Sequence, residues 1–214
     1  MKKTIIKGMT ALLLMSTVAI PGFAGVSFND LGSIKEATAI IALSEKNIVK
    51  GTGNNRFEPL RAMTYAESVQ LLVNTFGLNI DHIRFIKEPK ASDYFKFAND
   101  GAWYAGALII APLNGAELSS DMIPDMKITR EAFIDLFVSL LELKEDLPLI
   151  KIAAADIADR ELINPEYNGV VDRALYYGIV SLDEKGNFRP TDAITRAEAA
   201  EWINNLLAFQ EGIQ

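Results

Sequence analysis

A short phrase occurs three times in the chain, and its spacing constrains the fold more than any other sequence feature. Each copy has a large apolar residue two positions before a proline, and a threonine five positions after that proline. The prolines are Pro59, Pro124 and Pro190, which lie 65 and 66 residues apart. Because matched spacing at three places indicates internal repetition, the sequence predicts three copies of one supersecondary unit.

Each threonine of the phrase is predicted to cap a helix, since its hydroxyl can accept a hydrogen bond from a free backbone N–H. Two copies also place a glutamate three residues later, as a capping box requires: Thr64 with Glu67, and Thr195 with Glu198. In the middle copy Glu131 follows Thr129 by two residues, so the box is broken there.

Apolar residues recur at helical spacing after each cap, and a second amphipathic helix is predicted before each phrase. A glycine turn is expected to end these preceding helices near Gly51, Gly115 and Gly178. No long strand is indicated. The predicted fold class is therefore all-α, with helix-loop-helix units at residues 25–79, 92–144 and 153–214 that pack as one body.

Residues 1–24 are interpreted as a secretory signal peptide. Lys2, Lys3 and Lys7 form a basic start, residues 9–20 are apolar, and the small residue Ala24 marks the expected cleavage position. An uncleaved N-terminal anchor is the alternative. No later stretch is apolar for long enough to cross a bilayer. The mature protein is therefore expected outside the cell and not in a membrane.

The composition excludes several kinds of site. The chain has no cysteine and a single histidine, His82, so disulfides, thiol chemistry and histidine-rich metal sites are excluded. A net charge of −7 disfavours nucleic-acid binding, which depends on a basic surface. No pair of residues is singled out as a catalytic arrangement. The sequence therefore predicts neither an enzyme nor a cofactor or metal.

The phrase and its surroundings resemble the S-layer homology family. That motif has an early Phe-x-Asp, an aromatic-led helix, a Gly-Ile turn, Phe-x-Pro and then Ile-Thr-Arg-Ala-Glu. The third unit is a close match, with Gly178-Ile179, Phe188-Arg-Pro190 and Ile194-Thr-Arg-Ala-Glu198. The first carries Phe28-Asn-Asp30 and Phe57-Glu-Pro59 but has Tyr65 in place of the arginine. The middle carries the Trp103-Tyr104 helix and Thr129-Arg130 but lacks the Phe-x-Asp aspartate.

The resemblance implies a pseudo-threefold helical bundle that binds secondary cell-wall polysaccharide in grooves between projecting loops. Such polysaccharides often carry pyruvylated amino sugars, and the arginine of the Thr-Arg-Ala-Glu phrase is the residue most associated with binding them. The implied function is to anchor a secreted protein non-covalently to the wall at the surface of a bacterial cell, without catalysis.

Arg130 and Arg196 are the main candidates for contact with an acidic sugar. A guanidinium matches a carboxylate with two parallel hydrogen bonds, and a helix start adds N–H groups and a positive dipole end. Thr129 and Thr195 stand beside them. The alternative is that each arginine only pairs with a glutamate of its own helix.

The remaining candidates each have a structural alternative. Trp103 is either a flat face for a sugar ring or a core residue. Asp30 and Asp159 are either ligand contacts or caps. Arg61 is a possible substitute for the arginine that Tyr65 replaces, and two working grooves are expected rather than three.

Two other functions stay open at this point. The chain holds little beyond the three units, so it is alternatively a structural or interaction protein of the cell envelope whose degenerate repeats bind a partner protein. An enzyme acting on polysaccharide ranks behind both functions.

Overall fold

The computed structural model describes residues 27–145, 147 and 152–213. Within these ranges the regular structure is helical, which confirms the all-α prediction. The six α-helices are α1 (Ala37–Glu45), α2 (Tyr65–Thr75), α3 (Ala105–Leu113), α4 (Arg130–Lys144), α5 (Asn168–Tyr176) and α6 (Arg196–Ile213). Single 3₁₀ turns occur at Ala91–Asp93 and Arg160–Leu162. The predicted signal peptide, residues 1–24, lies outside the described residues.

The helices form three consecutive pairs, but the main packing runs between pairs. Helix α2 packs on α3, α4 packs on α5, and α6 packs back on α1. The second helix of each unit thus lies against the first helix of the next unit, and the third unit closes the circle onto the first. The apolar faces of all three units are buried in one shared core, so the units form a single body.

A closed ring of backbone hydrogen bonds joins the three loops that precede the second helix of each unit. These helices, α2, α4 and α6, are called the long helices. The N–H of Met63 donates to the carbonyl of Ile194, Ile194 donates to Ile128, and Ile128 donates back to Met63, with N–O distances of 2.9, 3.1 and 3.2 Å. These residues each lie one position before a threonine cap. The equivalence of the three positions shows the pseudo-threefold arrangement directly.

The first turns of the long helices extend this ring. The N–H groups of Tyr65, Arg130 and Arg196 donate to carbonyls of the next loop around the ring, at 2.9–3.0 Å. The residues that follow them, Ala66, Glu131 and Ala197, donate to the carbonyls of Pro124, Pro190 and Pro59 at 2.9–3.1 Å. Since the first N–H groups of a helix have no partner within it, each long helix is capped by its neighbouring unit.

The turns that end the short helices agree with prediction at two of three positions. Gly115 and Gly178 have φ of +91° and +69° after α3 and α5. After α1 the left-handed residue is Asn47, with φ of +60°, so the prediction of Gly51 is wrong. Asparagine tolerates this conformation better than most residues. Gly51 is instead required by space, because a Cβ there would lie 2.7 Å from the carbonyl oxygen of Arg56.

Asp30 and Asp159 each fasten a Phe-x-Pro loop. The two oxygens of Asp159 accept from the backbone N–H groups of Phe188 and Arg189, both at 2.7 Å, and Asp30 does the same for residues 57 and 58 at 2.8 Å. Arg189 and Glu58 have positive φ, of +58° and +59°. The aspartates therefore hold a strained backbone in place, a structural role that differs from the predicted helix caps, since neither side chain bonds to the start of the helix that follows it.

Asp159→Ala is expected to lower the free energy of unfolding by about 2–4 kcal/mol, because two hydrogen bonds to a charged acceptor are lost and the N–H groups of Phe188 and Arg189 are left without that acceptor. Urea denaturation checks this value. Asp93→Ala is the control, since Asp93 accepts a single N–H bond, from Lys90, on an exposed turn. Equal losses in the two variants would contradict the role given to Asp159.

Candidate functional site

Three grooves lie between neighbouring units, and they share one construction. One wall carries the residue that follows a threonine cap, and the other wall is the loop and second helix of the adjacent unit. Arg196, Tyr65 and Arg130 occupy that position, and each groove is named after its own residue. Since the backbone around the ring repeats, the differences among the grooves come from their side chains.

The Arg196 groove is the largest, with a volume of about 520 Å³ against about 290 and 230 Å³ for the Tyr65 and Arg130 grooves. Besides Arg196 it is lined by residues 48–52 and by Phe57, Arg61, Met63, Glu67, Gln70, Leu71, Asn74 and Trp103.

Arg196 is half-buried and held by neutral partners. Its Nε donates to the carbonyl of Phe57 and its Nη2 donates to the carbonyl of Lys50, both at 2.8 Å, and its guanidinium lies 4.3 Å from the centre of the Phe57 ring. Within the described part of the chain, no carboxylate forms an ion pair with it. Burial, followed by the nearby charge of Arg61, lowers the pKa of Arg196 against the opposing charges of Glu67, Glu58 and Asp30.

Trp103 stands on the rim of the same groove. Its side chain is 64% exposed, and its ring meets that of the buried Tyr104 edge-on at 5.5 Å. The sequence pattern placed Trp103 inside a helix, but α3 begins at Ala105. Trp103 therefore presents an exposed aromatic face beside a cation, which excludes the core alternative.

The Arg130 groove is built on a neutralised arginine. Arg130 is 4% exposed, and its Nη1 donates to Oε1 of Glu198 at 2.6 Å. Its Nε repeats the bond seen for Arg196, here to the carbonyl of Phe188 at 2.8 Å, and its guanidinium lies 4.7 Å from the centre of the Trp202 ring. Arg130 was a main candidate for contact with an acidic sugar, but its guanidinium is buried and already paired with a carboxylate.

The Tyr65 groove is acidic. Its lining includes Glu117, Asp121 and Asp135, and no lysine or arginine among the residues that the structure describes. Burial and then the negative charge of Glu117 raise the pKa of Asp135. Tyr167 completes the lining with a second phenol. This groove offers no cationic partner for an acidic ligand.

The charges of the linings rank the grooves for anion binding. The Arg196 groove has three cations, Lys50, Arg61 and Arg196, against one carboxylate, Glu67. The Arg130 groove has more carboxylates than cations, namely Glu36, Asp183, Glu198 and Glu201 against Lys35, Arg130 and Arg189. Among these three grooves of the described residues, the Arg196 groove is thus the one with a net positive lining, in a protein of net charge −7.

A family model described as the S-layer homology domain matches residues 27–67 and 159–200. Both stretches contain an aspartate clamp, a Phe-x-Pro loop and a threonine cap of the ring. The first and third units are S-layer homology repeats.

The curated relatives are longer proteins. An exoglucanase, XynX, of Acetivibrio thermocellus is 29% identical over 85% of this chain and 16% of its own length. A surface-layer 125 kDa protein of Lysinibacillus sphaericus is 24% identical over 89% of this chain and 16% of its own. The S-layer protein sap of Bacillus anthracis is 28% identical over 94% of this chain and 24% of its own length. The chain therefore spans less than a quarter of the length of these relatives.

The threonines of the S-layer homology phrases act as caps. Thr195 Oγ1 lies 3.2 Å from the N–H of Glu198, and Thr129 Oγ1 lies 3.3 Å from the N–H of Ala132, each accepting from that group. The capping boxes predicted for the first and third units are confirmed, and the box is absent at Thr129. Because these hydroxyls and the first helical N–H groups are already bonded, the N–H groups expected to attract an anion at the helix starts are occupied.

Arg61 does not lie where the sequence argument placed it. It lines the Arg196 groove, whereas Tyr65 lines a different groove, so Arg61 does not substitute for the arginine that Tyr65 replaces. Its guanidinium binds both oxygens of Glu67, at 2.7 and 3.0 Å. Sequence reasoning missed Glu67 and Glu198 as groove residues, since it assigned both to capping alone.

The structure describes no helix that combines the length and the apolar character needed to cross a bilayer. This holds for residues 27–145 and 152–213, which include every groove residue.

The Glu198 ion pair is expected to make stability depend on pH. Burial raises the pKa of Glu198, but the charge of Arg130 and the hydrogen bonds from Thr195 outweigh it, so the pKa lies below its usual value. A lowered folded-state pKa contributes stability above the usual glutamate value of about 4.3, and this is lost as pH falls through the folded-state value. Glu198→Gln should therefore cost about 2–4 kcal/mol at neutral pH and progressively less in acid.

Urea denaturation between neutral and acidic pH measures this difference. Glu201→Gln is the matched control, because Glu201 pairs with the exposed Lys35. This substitution should lower the free energy of unfolding by less than about 1 kcal/mol. A Glu198→Gln deficit that stays constant down to low pH would contradict the assignment.

Proposed function

We propose that this chain is a non-catalytic anchor that binds an acidic polysaccharide of the bacterial cell wall through the Arg196 groove. The observation that carries the proposal is a guanidinium without a carboxylate partner in the described residues, facing a cleft that also exposes Trp103. A location at the cell surface agrees with the family and with relatives named as surface-layer proteins.

The chemistry of Arg196 suits a carboxylate fixed to a sugar, such as a ketal-linked pyruvate. The bonds from Nε and Nη2 to backbone carbonyls fix the plane of the guanidinium before a ligand arrives. A fixed planar fork loses little conformational entropy when it binds a planar anion. Because partial burial reduces screening by solvent, an ion pair formed here is stronger than one on the open surface.

Trp103 supplies the second requirement of a sugar site. Aromatic rings bind the apolar face of a pyranose, and an indole can also donate one hydrogen bond at its edge. Gln70 and Asn74 line the same groove and offer neutral hydrogen-bonding groups to sugar hydroxyls. Cation, aromatic face and amides are thus combined in one groove.

The other two grooves are not proposed as sites for an acidic sugar. Arg130 is buried against Glu198, and the Tyr65 groove carries three carboxylates without a cation in its described lining. This revises the expectation of two working grooves to one. The middle unit, residues 92–144 in the predicted boundaries, is proposed as a third repeat on the strength of its identical ring bonds.

A non-catalytic role is supported by the variety of the relatives. An exoglucanase and two surface-layer proteins align with almost the whole chain, and in each the aligned part is less than a quarter of the protein. A region shared by an enzyme and by proteins named only for the surface layer fits a common attachment module better than a catalytic domain.

Arg196→Gln is expected to weaken binding of a ketal-pyruvylated N-acetylhexosamine methyl glycoside by about tenfold or more, since a charged hydrogen-bonding partner is lost. Calorimetric titration measures the affinity, and co-sedimentation with purified wall sacculi measures anchoring. Tyr65→Phe is the matched control at the equivalent position and should leave both unchanged. Retention of the Arg196→Gln variant on sacculi equal to that of the unmodified chain would contradict the proposed function.

A further inference from the structure

The box glutamates of the first and third units have the same position but different partners. Glu67 and Glu198 each follow a threonine cap by three residues, and each bonds back to the N–H of that threonine. Each also lies in a groove that holds the arginine of another unit, Arg196 or Arg130. The groove arginine therefore has a carboxylate partner only where this glutamate pairs with it.

In the third unit the glutamate is shared. Glu198 Oε1 accepts from Arg130 Nη1 and from Arg189 Nη2, both at 2.6 Å. Its Oε2 is taken by the backbone N–H and the hydroxyl of Thr195. Arg130 is thus neutralised by a groove carboxylate.

In the first unit a different residue takes the glutamate. Arg61 Nη2 donates to Glu67 Oε1 at 2.7 Å and Arg61 Nη1 donates to Oε2 at 3.0 Å, so both oxygens are engaged. The equivalent position in the third unit, two residues after the proline, is Asp192, which cannot donate to a carboxylate. The cation of that loop is Arg189, and it binds only Oε1 of Glu198, the oxygen that also accepts from Arg130.

Arg196 and Arg130 start from the same pose. Each donates from Nε to the carbonyl of the adjacent Phe-x-Pro phenylalanine at 2.8 Å. They differ in the outer nitrogens, since Arg130 reaches Glu198 while Arg196 turns to the carbonyl of Lys50. This difference coincides with the bidentate bonding of Arg61 to Glu67 in the first unit.

We propose that Arg61 is a positioning residue that makes the Arg196 groove selective for acidic ligands by occupying Glu67. This rests on the proposed function of that groove. Arg61 acts through Glu67 and not by touching the ligand. Without Arg61, Glu67 would pair with Arg196 as Glu198 pairs with Arg130, and the groove would lose its uncompensated cation.

The test uses the ketal-pyruvylated N-acetylhexosamine methyl glycoside and its carboxyl methyl ester, titrated calorimetrically. Arg61→Ala should bind the acid about tenfold more weakly than the unmodified chain, with little change for the ester. The double variant Arg61→Ala/Glu67→Gln should return to within about threefold of the original affinity, because the carboxylate that would pair with Arg196 is gone. Glutamine preserves the capping box, so Glu67→Gln leaves the helix start intact.

Lys96→Ala is the matched control for losing one positive charge, since the exposed Lys96 pairs with Asp121, at 3.9 Å, and not with Glu67. It should change the affinity by less than about threefold. Thermal unfolding of every variant verifies that the body is folded, and Glu67→Gln alone should bind the acid at least as well as the unmodified chain.

The outcomes separate this inference from the proposed function. If the unmodified chain binds acid and ester equally, the proposed function fails. If it prefers the acid but Arg61→Ala binds normally, or the double variant stays as weak as Arg61→Ala, the inference is overturned. The last result would show that Arg61 contacts the ligand directly.

Discussion

The backbone ring around the pseudo-threefold axis is the interaction on which the rest of the structure depends. Met63, Ile128 and Ile194 close a circle of N–H to carbonyl bonds, and the first N–H groups of α2, α4 and α6 bond to loops of neighbouring units. A helix pair of this size buries too little apolar surface to be stable alone. The ring therefore makes the three units one cooperative body, and it aims each groove arginine across a boundary between units.

Because backbone groups form the ring, it tolerates different side chains at equivalent positions. Position one of the long helices is Tyr65, Arg130 or Arg196, and each makes the same backbone bond. The three grooves consequently share one backbone construction but differ in volume and in charge. The residue after the threonine cap is a tyrosine in one groove and an arginine in the other two, and the arginines differ in whether the box glutamate of the groove pairs with them.

Much of the fold was readable from the sequence because it rests on local signals. Threonine caps, the capping boxes at Thr64 and Thr195, apolar periodicity and the glycines after α3 and α5 all act over a few residues. The misses arose where local signals compete. The left-handed residue after α1 is Asn47 and not the predicted Gly51. Trp103 lies outside the predicted helix, since α3 begins two residues later, at Ala105.

The sequence alone determined that there are three similar units, where their caps lie and which units carry an arginine after the cap, since these follow from residue identity and spacing. The tertiary structure decided which groove each arginine enters, because the ring delivers it to the loop of another unit. It also decided that Arg130 is buried and paired with Glu198, whereas Arg196 is half-buried and bonds to backbone carbonyls. That outcome depends on contacts between residues up to 146 positions apart, such as Arg196 with Lys50, which no local pattern encodes.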